Sequence, residues 1–415
     1  MIDINQLREN PEGVKGAIKK RGWKVDLAGI LDLDKQYRTL LREVEKSRAL
    51  LNTLSRERVQ EKEKIAQIKA DKVKLKQQEE KLSLLKKKVD DLIKGIPNYV
   101  KEDVPAGRDE SSNVVLKSIG EPPKFEFFAK DYLTLSVNHD LIDLERAAKV
   151  SGARFYYLKN EAALLSLALV RYGLDIALGE GFVPILPPVM IGKKAMAGMG
   201  YLERGGEEET YHFLKDDLYL VGTSEQSIGP MHMNEILEVD KLPLRYVAFS
   251  TCFRREAGSY GKDTKGILRA HQFDKLEMFS ITTPEKSDEE HKYLLSLQEK
   301  FMGGLNLPYR VVQLCAGDLA GPSVCTYDIE AWIPSQGKYR ETHSTSNTTD
   351  FQSRRLSIKY RRPDGSTELV HMLNGTMVAV NRPLIAILES NQRADGSINL
   401  PQALHPYLGG RKRIE

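Results

Sequence analysis

The residue types most able to do chemistry fall in two short runs, LRYVAFSTCFR and LRAHQFDKLEMFSIT. Both have the β-branched and aromatic content of strands, and side chains on one face of a strand recur at every second residue. Counting by twos puts Cys252, Arg254 and Glu256 on one face of the first run. On the second, Arg269, His271, Phe273, Lys275, Glu277 and Phe279 share a face. The Phe273 ring and the Glu277 carboxylate then lie on one surface about 13 Å apart, at roughly 3.3 Å per residue. Such a face is poor core material. It reads either as the solvated side of a half-buried hairpin or as a surface that meets a charged ligand beside a stacking ring. The intervening loop, from Arg254 to Gly266, holds four cations and three glycines, which suits a polyanion or phosphate.

Two further clusters follow. In YRETHSTSNTTDFQSRR, Glu341 lies close to the hydroxyls of Thr342, Ser344, Thr345 and Ser346. HMLNGTMVAVNRPLIAILESNQ reads as a small-residue turn at Asn374 to Thr376 leading into a helix, with Arg382 projecting from its early turns. Taken singly, a hydroxyl-rich turn is only a turn and a helical Arg a surface residue. The chain has no GxGxxG after a strand and no GxxxxGK[ST], so a bound nucleotide would be held without a Rossmann or P-loop device. Cys252, Cys315 and Cys325 are odd in number and lack CxxC spacing. Reduced structural thiols are expected, with no disulfide framework and no zinc site.

The elements that must position these groups begin with a chain of 415 residues, long enough for two or three units. Its 41% hydrophobic and 29% charged residues predict a folded globular protein and exclude the low-hydrophobicity disordered class. No stretch approaches the ~20 uninterrupted apolar residues of a membrane span, and MIDINQLREN lacks the order of a signal peptide. A cytoplasmic protein with no membrane partner is expected.

The net charge of +4 hides a polarised distribution, because Arg42 to Lys94 alone carries sixteen Lys and Arg against ten Asp and Glu. The same segment has no Gly or Pro between Ile30 and Lys94. Alternating steps of three and four from Ile30 to Ile68 meet apolar residues at nine of twelve positions. A second register runs Leu75, Gln78, Leu82, Leu85, Val89, Leu92 and Ile96, with the phase break near Lys69 to Lys74. Heptads of this kind zip two helices along a seam. An antiparallel hairpin with its tip at Lys62 to Lys72 is more economical than one helix of about 100 Å. Gly95 and Pro97 end the second helix, VPAGRDESSN is a polar linker, and a domain boundary is expected near Asp103. Beyond it, short β-rich runs alternate with helices expected near Asn138 to Lys149 and Asn160 to Glu180. The fold class is α+β, a helical arm at residues 1–103 followed by a mainly antiparallel sheet flanked by helices at 104–415.

All of these features in this order resemble the seryl-tRNA synthetases, a family of class II aminoacyl-tRNA synthetases. The resemblance runs from MIDINQLRENPEGVK through the arm to LPQALHPYLGG. Its most specific part is CFRREAGSYGKDTKGILRAHQFDKLEMF, which looks like the second class II motif in its seryl form. GFVPILPPVM looks like the first motif, whose Pro, here Pro187, helps form a dimer interface in the family, and Asn374 to Arg382 matches the third.

The resemblance implies activation of serine by ATP to seryl-adenylate, then transfer to a terminal ribose hydroxyl of tRNA(Ser), with service of tRNA(Sec) left open. It assigns Arg254 to the α-phosphate and the serine carboxylate, a task that suits a planar two-pronged cation. Glu256 is implied to hold the adenine amino group, Phe273 to stack on its ring, and Arg255 and Ala270 to touch the nucleotide. Thr223, Ser224 and Glu225 of VGTSEQ, with Glu277, Asn374 and Thr376, are implied serine contacts. Glu341, Thr342, His343 and Ser344 align with ATP contacts, Glu341 and Ser344 also with Mg²⁺, and Arg382 with the grip on the γ-phosphate. Neither step demands a protein nucleophile, and His271 reads as structural. The excess of six positive charges in the arm then reads as a face for the tRNA backbone, whereas without the catalytic region it reads as a solvated coiled-coil surface. The implied assembly is a homodimer.

Some positions depart from the family pattern. Met377 and Asn381 stand where glycine is common, and Thr376 replaces Ser, so a methionine near the pocket is expected to narrow it or change nucleotide stacking. Competing readings are a synthetase-like paralogue that loads a carrier protein, which would lack the arm, and a non-catalytic tRNA-binding protein, which would have lost Arg254, Glu277 or Arg382.

Overall fold

The computed structural model describes every residue except 1, 57–61, 204 and 258–264. The described chain divides into two compact units, Ile2–Tyr99 and Val100–Glu415.

The first unit is helical. Asp3 caps its opening helix and exchanges bonds with Gln6 in a capping box, satisfying amides that the first turn leaves free. Two long helices follow, α1 (Leu27–Arg56) and α2 (Lys62–Lys94), and they pack antiparallel. Ile30, near the start of α1, shares a core with Val89 and Ile93 near the end of α2. Further out, Arg48 donates to Glu79 at 2.7 Å. The expected tip needs correction: Lys62 to Lys72 is already inside α2, and residues 57–61 lie outside the described residues. The seam also differs at one step, since Ile93 is buried and Leu92 is 41% exposed. A step of four from Val89 suits the 3.6-residue period of a helix that is not strictly heptad. Inside this unit Arg21 is buried and donates to the carbonyl of Asn98 at 3.0 Å; desolvation brings its pKa down to about 10.

The second unit is built on an eight-stranded sheet among the described residues. In chain order the elements used below are β1 (Val114–Ile119), α3 (Asn160–Gly179), β2 (Val183–Ile185), β3 (Leu244–Phe253), β4 (Gln272–Thr282), α4 (Ser287–Leu305), β5 (Tyr309–Gln313), β6 (Cys325–Ile333), β7 (Lys338–Thr349), β8 (His371–Ala379) and α5 (Asn381–Ser390). In space the strands run β1-β5-β6-β7-β8-β4-β3-β2. Neighbours pair antiparallel except β2 and β3, which are parallel. Helices α3, α4 and α5 cover one face through Leu165, Leu169, Leu294, Phe301 and Leu384, all buried with Leu276 and Met278 of β4. That burial explains why α3 is long and apolar enough to cross a membrane yet carries its inner stripe into a core.

The helix expected near Asn138 to Lys149 is two helices, Tyr132–His139 and Leu144–Ser151. Asp140 in the left-handed region ends the first, and the Asp143 side chain caps the second by accepting from Arg146 N. Asn374 to Thr376 is not a turn but the middle of β8. Ladder irregularities occur between Leu276 and Glu277 on β4 and between Ile329 and Glu330 on β6. Bulges of this kind re-aim side chains and gather near functional sites.

Candidate active site

One open face of the sheet holds a cavity of about 250 Å³. Its walls come from segments that the sheet order, not the sequence, brings together. Strand β3 ends at Phe253 and β4 begins at Gln272, so Arg254, Glu256, Arg269 and His271 lie beyond the strand ends and are placed by the connecting segments. The two-residue count therefore holds only for Phe273 to Phe279. That face is not solvated: Lys275 and Glu277 are 8% and 1% exposed.

Arg254 lines the cavity, with its Nε donating to the Gly222 carbonyl at 3.2 Å and its guanidinium 5.3 Å from the Phe273 ring centroid. Glu256 has φ +51°, an uncommon backbone for a side chain with a Cβ. Arg154 donates to the Glu256 carbonyl at 3.1 Å and Arg269 to its carboxylate at 3.3 Å, which holds the strained residue toward the cavity beside Ala270. His271 accepts its place structurally, with Nδ1 3.0 Å from the Arg254 carbonyl and its ring 5.4 Å from Phe155.

From β7, Glu341, Thr342 and Ser344 line the cavity, and Arg382 at the start of α5 faces them. Arg382 Nη1 lies 3.1 Å from the Glu341 carboxylate. Desolvation pushes the Glu341 carboxyl up, but Arg382, with Arg254 and Lys275 adding to it, leaves the net pKa below the ordinary value. From β8, Asn374 and Thr376 line the same space. Beneath them the Gln298 amide of α4 donates to the carbonyls of Ser344 and Thr376, each at 2.9 Å, clipping β7 to β8.

Thr223 and Glu225 also line the cavity. Glu225 is buried, and its carboxylate accepts from Tyr201 Oη at 2.9 Å and Gln352 Nε2 at 2.8 Å. Burial raises its pKa and, with Glu225 alongside, holds the Tyr201 phenol well above its usual range. Glu277 does not itself line the cavity. It is ion-paired with Lys275, which does. Burial pushes Glu277 up to about 6 against the pull of Lys275.

Three expected contacts point elsewhere. The Ser224 hydroxyl lies 2.8 Å from Ser250 Oγ, under β3. The guanidinium of Arg255 sits over the Tyr211 ring at 5.9 Å, outside the cavity lining. His343 is fully buried, with Nδ1 2.8 Å from Thr342 Oγ1 and its ring edge-on to Phe301. Alternation along β7 is the reason: Thr342 and Ser344 reach the cavity, but His343 is in the core. Met377 is likewise fully buried against α3, where a Cβ on Gly173 would lie 2.8 Å from its Cγ. The expectation that Met377 narrows the pocket is therefore corrected. Asn381 does line the cavity, accepting from Tyr156 Oη at 2.8 Å and donating to the Ile267 carbonyl at 2.9 Å.

Sequence reasoning missed Tyr201, Gln298, Gln352 and Asp328, and it placed Lys275 on the right face without giving it a role. Asp328 offered a signal, one of two acids in the otherwise uncharged strand CTYDIEAWI. It is paired in register with Ser344, hydrogen-bonded to it, and raised well above the ordinary value by desolvation and then by Glu341. Its Oδ1 is buried without a hydrogen-bond partner. Glu341, Ser344 and that oxygen make a hard-oxygen donor set, which fits Mg²⁺ and does not fit zinc.

The family model of the seryl-tRNA synthetase N-terminal domain matches residues 1–100, and that of the class II tRNA synthetase core domain (G, H, P, S and T) matches residues 210–391. The serine–tRNA ligase of Dictyoglomus turgidum is 44% identical over 99% of the chain and 98% of its own length. The chain belongs to the seryl-tRNA synthetase family. The serine–tRNA ligase of Thermobifida fusca is similar to the same extent, 44% over 99% of the chain and 98% of its own length. Among solved structures, the seryl-tRNA synthetase from Pyrococcus horikoshii complexed with ATP superposes with a TM-score of 0.90 at 39% identity, covering 100% of the chain and 99% of that structure. The cytoplasmic serine–tRNA ligase from Naegleria fowleri in complex with AMP gives 0.88 at 33%, with the same coverage. As a seryl-tRNA synthetase family member, the chain joins the helical arm and the mostly antiparallel sheet expected from its sequence.

Proposed function

We propose that this chain activates L-serine with ATP and transfers the seryl group to tRNA(Ser). One observation carries the reading: in a chain of this family, Arg254, Arg382 and Glu341 converge on the same cavity as Glu225 and Lys275, with Glu277 paired to Lys275 just behind the wall. Cations suited to phosphates and carboxylates suited to an ammonium thus stand within one site, which a zwitterionic amino acid and a nucleoside triphosphate require together.

In the first step the serine carboxylate attacks the α-phosphorus and pyrophosphate leaves. In the second a terminal ribose hydroxyl of the tRNA attacks the acyl carbonyl and AMP leaves. Arg254 holds the α-phosphate and the carboxylate in line, Phe273 and Glu256 orient the adenine, with Ala270 against the nucleotide, and Arg382 holds the far phosphates. The chemistry is positioning and charge stabilisation, with no protein nucleophile. Glu341 and Ser344, with Asp328 behind Ser344, would hold Mg²⁺, which when bound offsets charge on the triphosphate. Thr223, Glu225, Glu277, Asn374 and Thr376 form the serine subsite. Thr342 serves through its place in β7.

Residues 1–103 act as the tRNA-binding domain and 104–415 as the catalytic domain. Exposed lysines of the arm, Lys72, Lys74, Lys76, Lys86, Lys87 and Lys88 among them, supply a salt-sensitive attraction to RNA phosphates. A homodimer in the cytoplasm completes the reading. Its support is an apolar surface at the first motif, where Val183 is 52% and Leu186 84% exposed beside Pro187. Serine-dependent charging of tRNA(Ser) tests the proposal; charging with another amino acid, or none, contradicts it.

A further inference from the structure

The cavity wall next to Glu277 is formed by a cation that no expected role accounts for. Lys275 Nζ pairs with the Glu277 carboxylate and donates to Thr223 Oγ1 at 3.2 Å. It therefore bridges two groups of the serine subsite, one on β4 and one on the segment before Glu225. Both partners are buried, so the lysine is not an incidental surface pair. Alternation explains the arrangement: Lys275 and Glu277 are two residues apart on one strand and share its cavity-side face, and the ladder irregularity just before Glu277 brings it opposite Thr376.

We infer that Lys275 is a positioning residue of the amino-acid subsite, holding Glu277 ionised and fixing the direction of the Thr223 hydroxyl so that an ammonium and a hydroxyl-bearing substrate find a prepared site. The inference rests on the proposed serine-activating function. A carboxylate as buried as Glu277 loses its hydration and tends to take up a proton, and a protonated carboxyl is a poor partner for an ammonium. The groups facing Glu277 are Lys275 on its own strand, Glu225 and Tyr201 across the pocket, and Arg254 and Cys252 from the neighbouring strand end. Glu225 opposes its charge, whereas Lys275 favours it more strongly than Arg254 does. For Thr223, Oγ1 accepts from Lys275 and, at 3.4 Å, from the Glu225 amide. A hydroxyl has two lone pairs and one proton, so with both lone pairs engaged it is left to act as a donor toward the substrate.

The test is amino-acid-dependent ATP–pyrophosphate exchange between pH 6.0 and 8.5 for wild type, Lys275→Met, Glu277→Gln and the double variant, with thermal unfolding to check folding. For wild type, the serine KM should rise by less than about threefold from pH 8.5 to 6.0, as a carboxyl titrating near 6 requires. In Lys275→Met it should rise by more than about fivefold over the same range, with the ATP KM nearly unchanged, because the carboxyl now titrates above neutrality. The pH dependence should vanish in Glu277→Gln and in the double variant alike. If Lys275→Met does not fold, Lys275→Gln, which retains a donor to Thr223, carries the same comparison. A parallel wild-type and Lys275→Met pH profile overturns the inference and leaves the function standing. Absence of serine-dependent exchange in the wild type overturns the function itself.

Discussion

Arg382 donates through Nη1 both to the backbone carbonyl of Glu341, at 2.8 Å, and to its carboxylate, at 3.1 Å. One guanidinium thus ties the first turn of α5 to β7 at the point where the phosphates are proposed to lie. The pair stands ready-made before any ligand arrives, so the cost of ordering Arg382 is already met in the folded state.

Arg382→Ala should remove a charge proposed to act on the phosphates and free the Glu341 carboxylate. We expect serine-dependent ATP–pyrophosphate exchange to fall by at least about 100-fold in kcat/KM, as loss of a preorganised charged donor does elsewhere. Retention within tenfold would show that Arg382 is only a structural tie.

Arg254→Ala should abolish adenylate formation while tRNA binding, measured by filter retention, stays within about twofold, because the binding is proposed to rest on phosphate contacts of the arm. Equal loss of both would mean that Arg254 serves the fold.

Replacing Lys72, Lys74, Lys76, Lys86, Lys87 and Lys88 by Gln should leave exchange intact and weaken tRNA binding. The slope of log affinity against log salt should become shallower by more than about 2, since each phosphate contact contributes somewhat under one unit. An unchanged slope would place the RNA on another surface.

Met377→Ala should cost about 2–5 kcal/mol of stability by opening a cavity among α3 and β4 side chains. The serine KM should not change. A shifted KM at unchanged stability would return Met377 to the pocket.

His291 is buried, with Nε2 3.0 Å from the Thr345 carbonyl, and desolvation lowers its pKa from 6.5 to about 4. It stays neutral in the folded state while the unfolded chain takes up its proton below pH 6.5. Its contribution to stability is therefore full above pH 6.5 and is lost as pH falls toward 4, at up to about 1.4 kcal/mol per pH unit. Urea unfolding of wild type and His291→Gln should show the gap between them shifting by about 2 kcal/mol in favour of the variant from pH 7 to 4.5. A constant gap would contradict this.

The sequence made the arm and the anchors legible for different physical reasons. Nine apolar positions in twelve at heptad spacing can bury their stripe only against another helix, so α1 and α2 were readable without tertiary information. Leu92 and Ile93 were not distinguishable, because a step of three and a step of four are equally apolar there. In the catalytic unit, the alternation that placed Lys275 and Glu277 on one face held only where the ladder is regular. It failed at Arg254, Glu256, Arg269 and His271, which lie beyond the strand ends, and the αL backbone of Glu256 leaves no trace in residue type. His343 and Met377 went astray for a related reason: residues adjacent to site residues on a strand face the opposite side, and that assignment needs to know which side is the cavity. Tyr201, Gln298 and Gln352 reach the site from distant helices and loops, so only the sheet order brings them into view.

The central claim, that this cavity activates serine with ATP, is tested most directly by ATP–pyrophosphate exchange with Mg²⁺ and without tRNA, run across serine, threonine, alanine, glycine and cysteine. A subsite whose buried partners await a hydroxyl predicts exchange with serine and rejection of alanine more strongly than of threonine. Exchange driven by an amino acid without a hydroxyl, or by none of the five, would contradict the account.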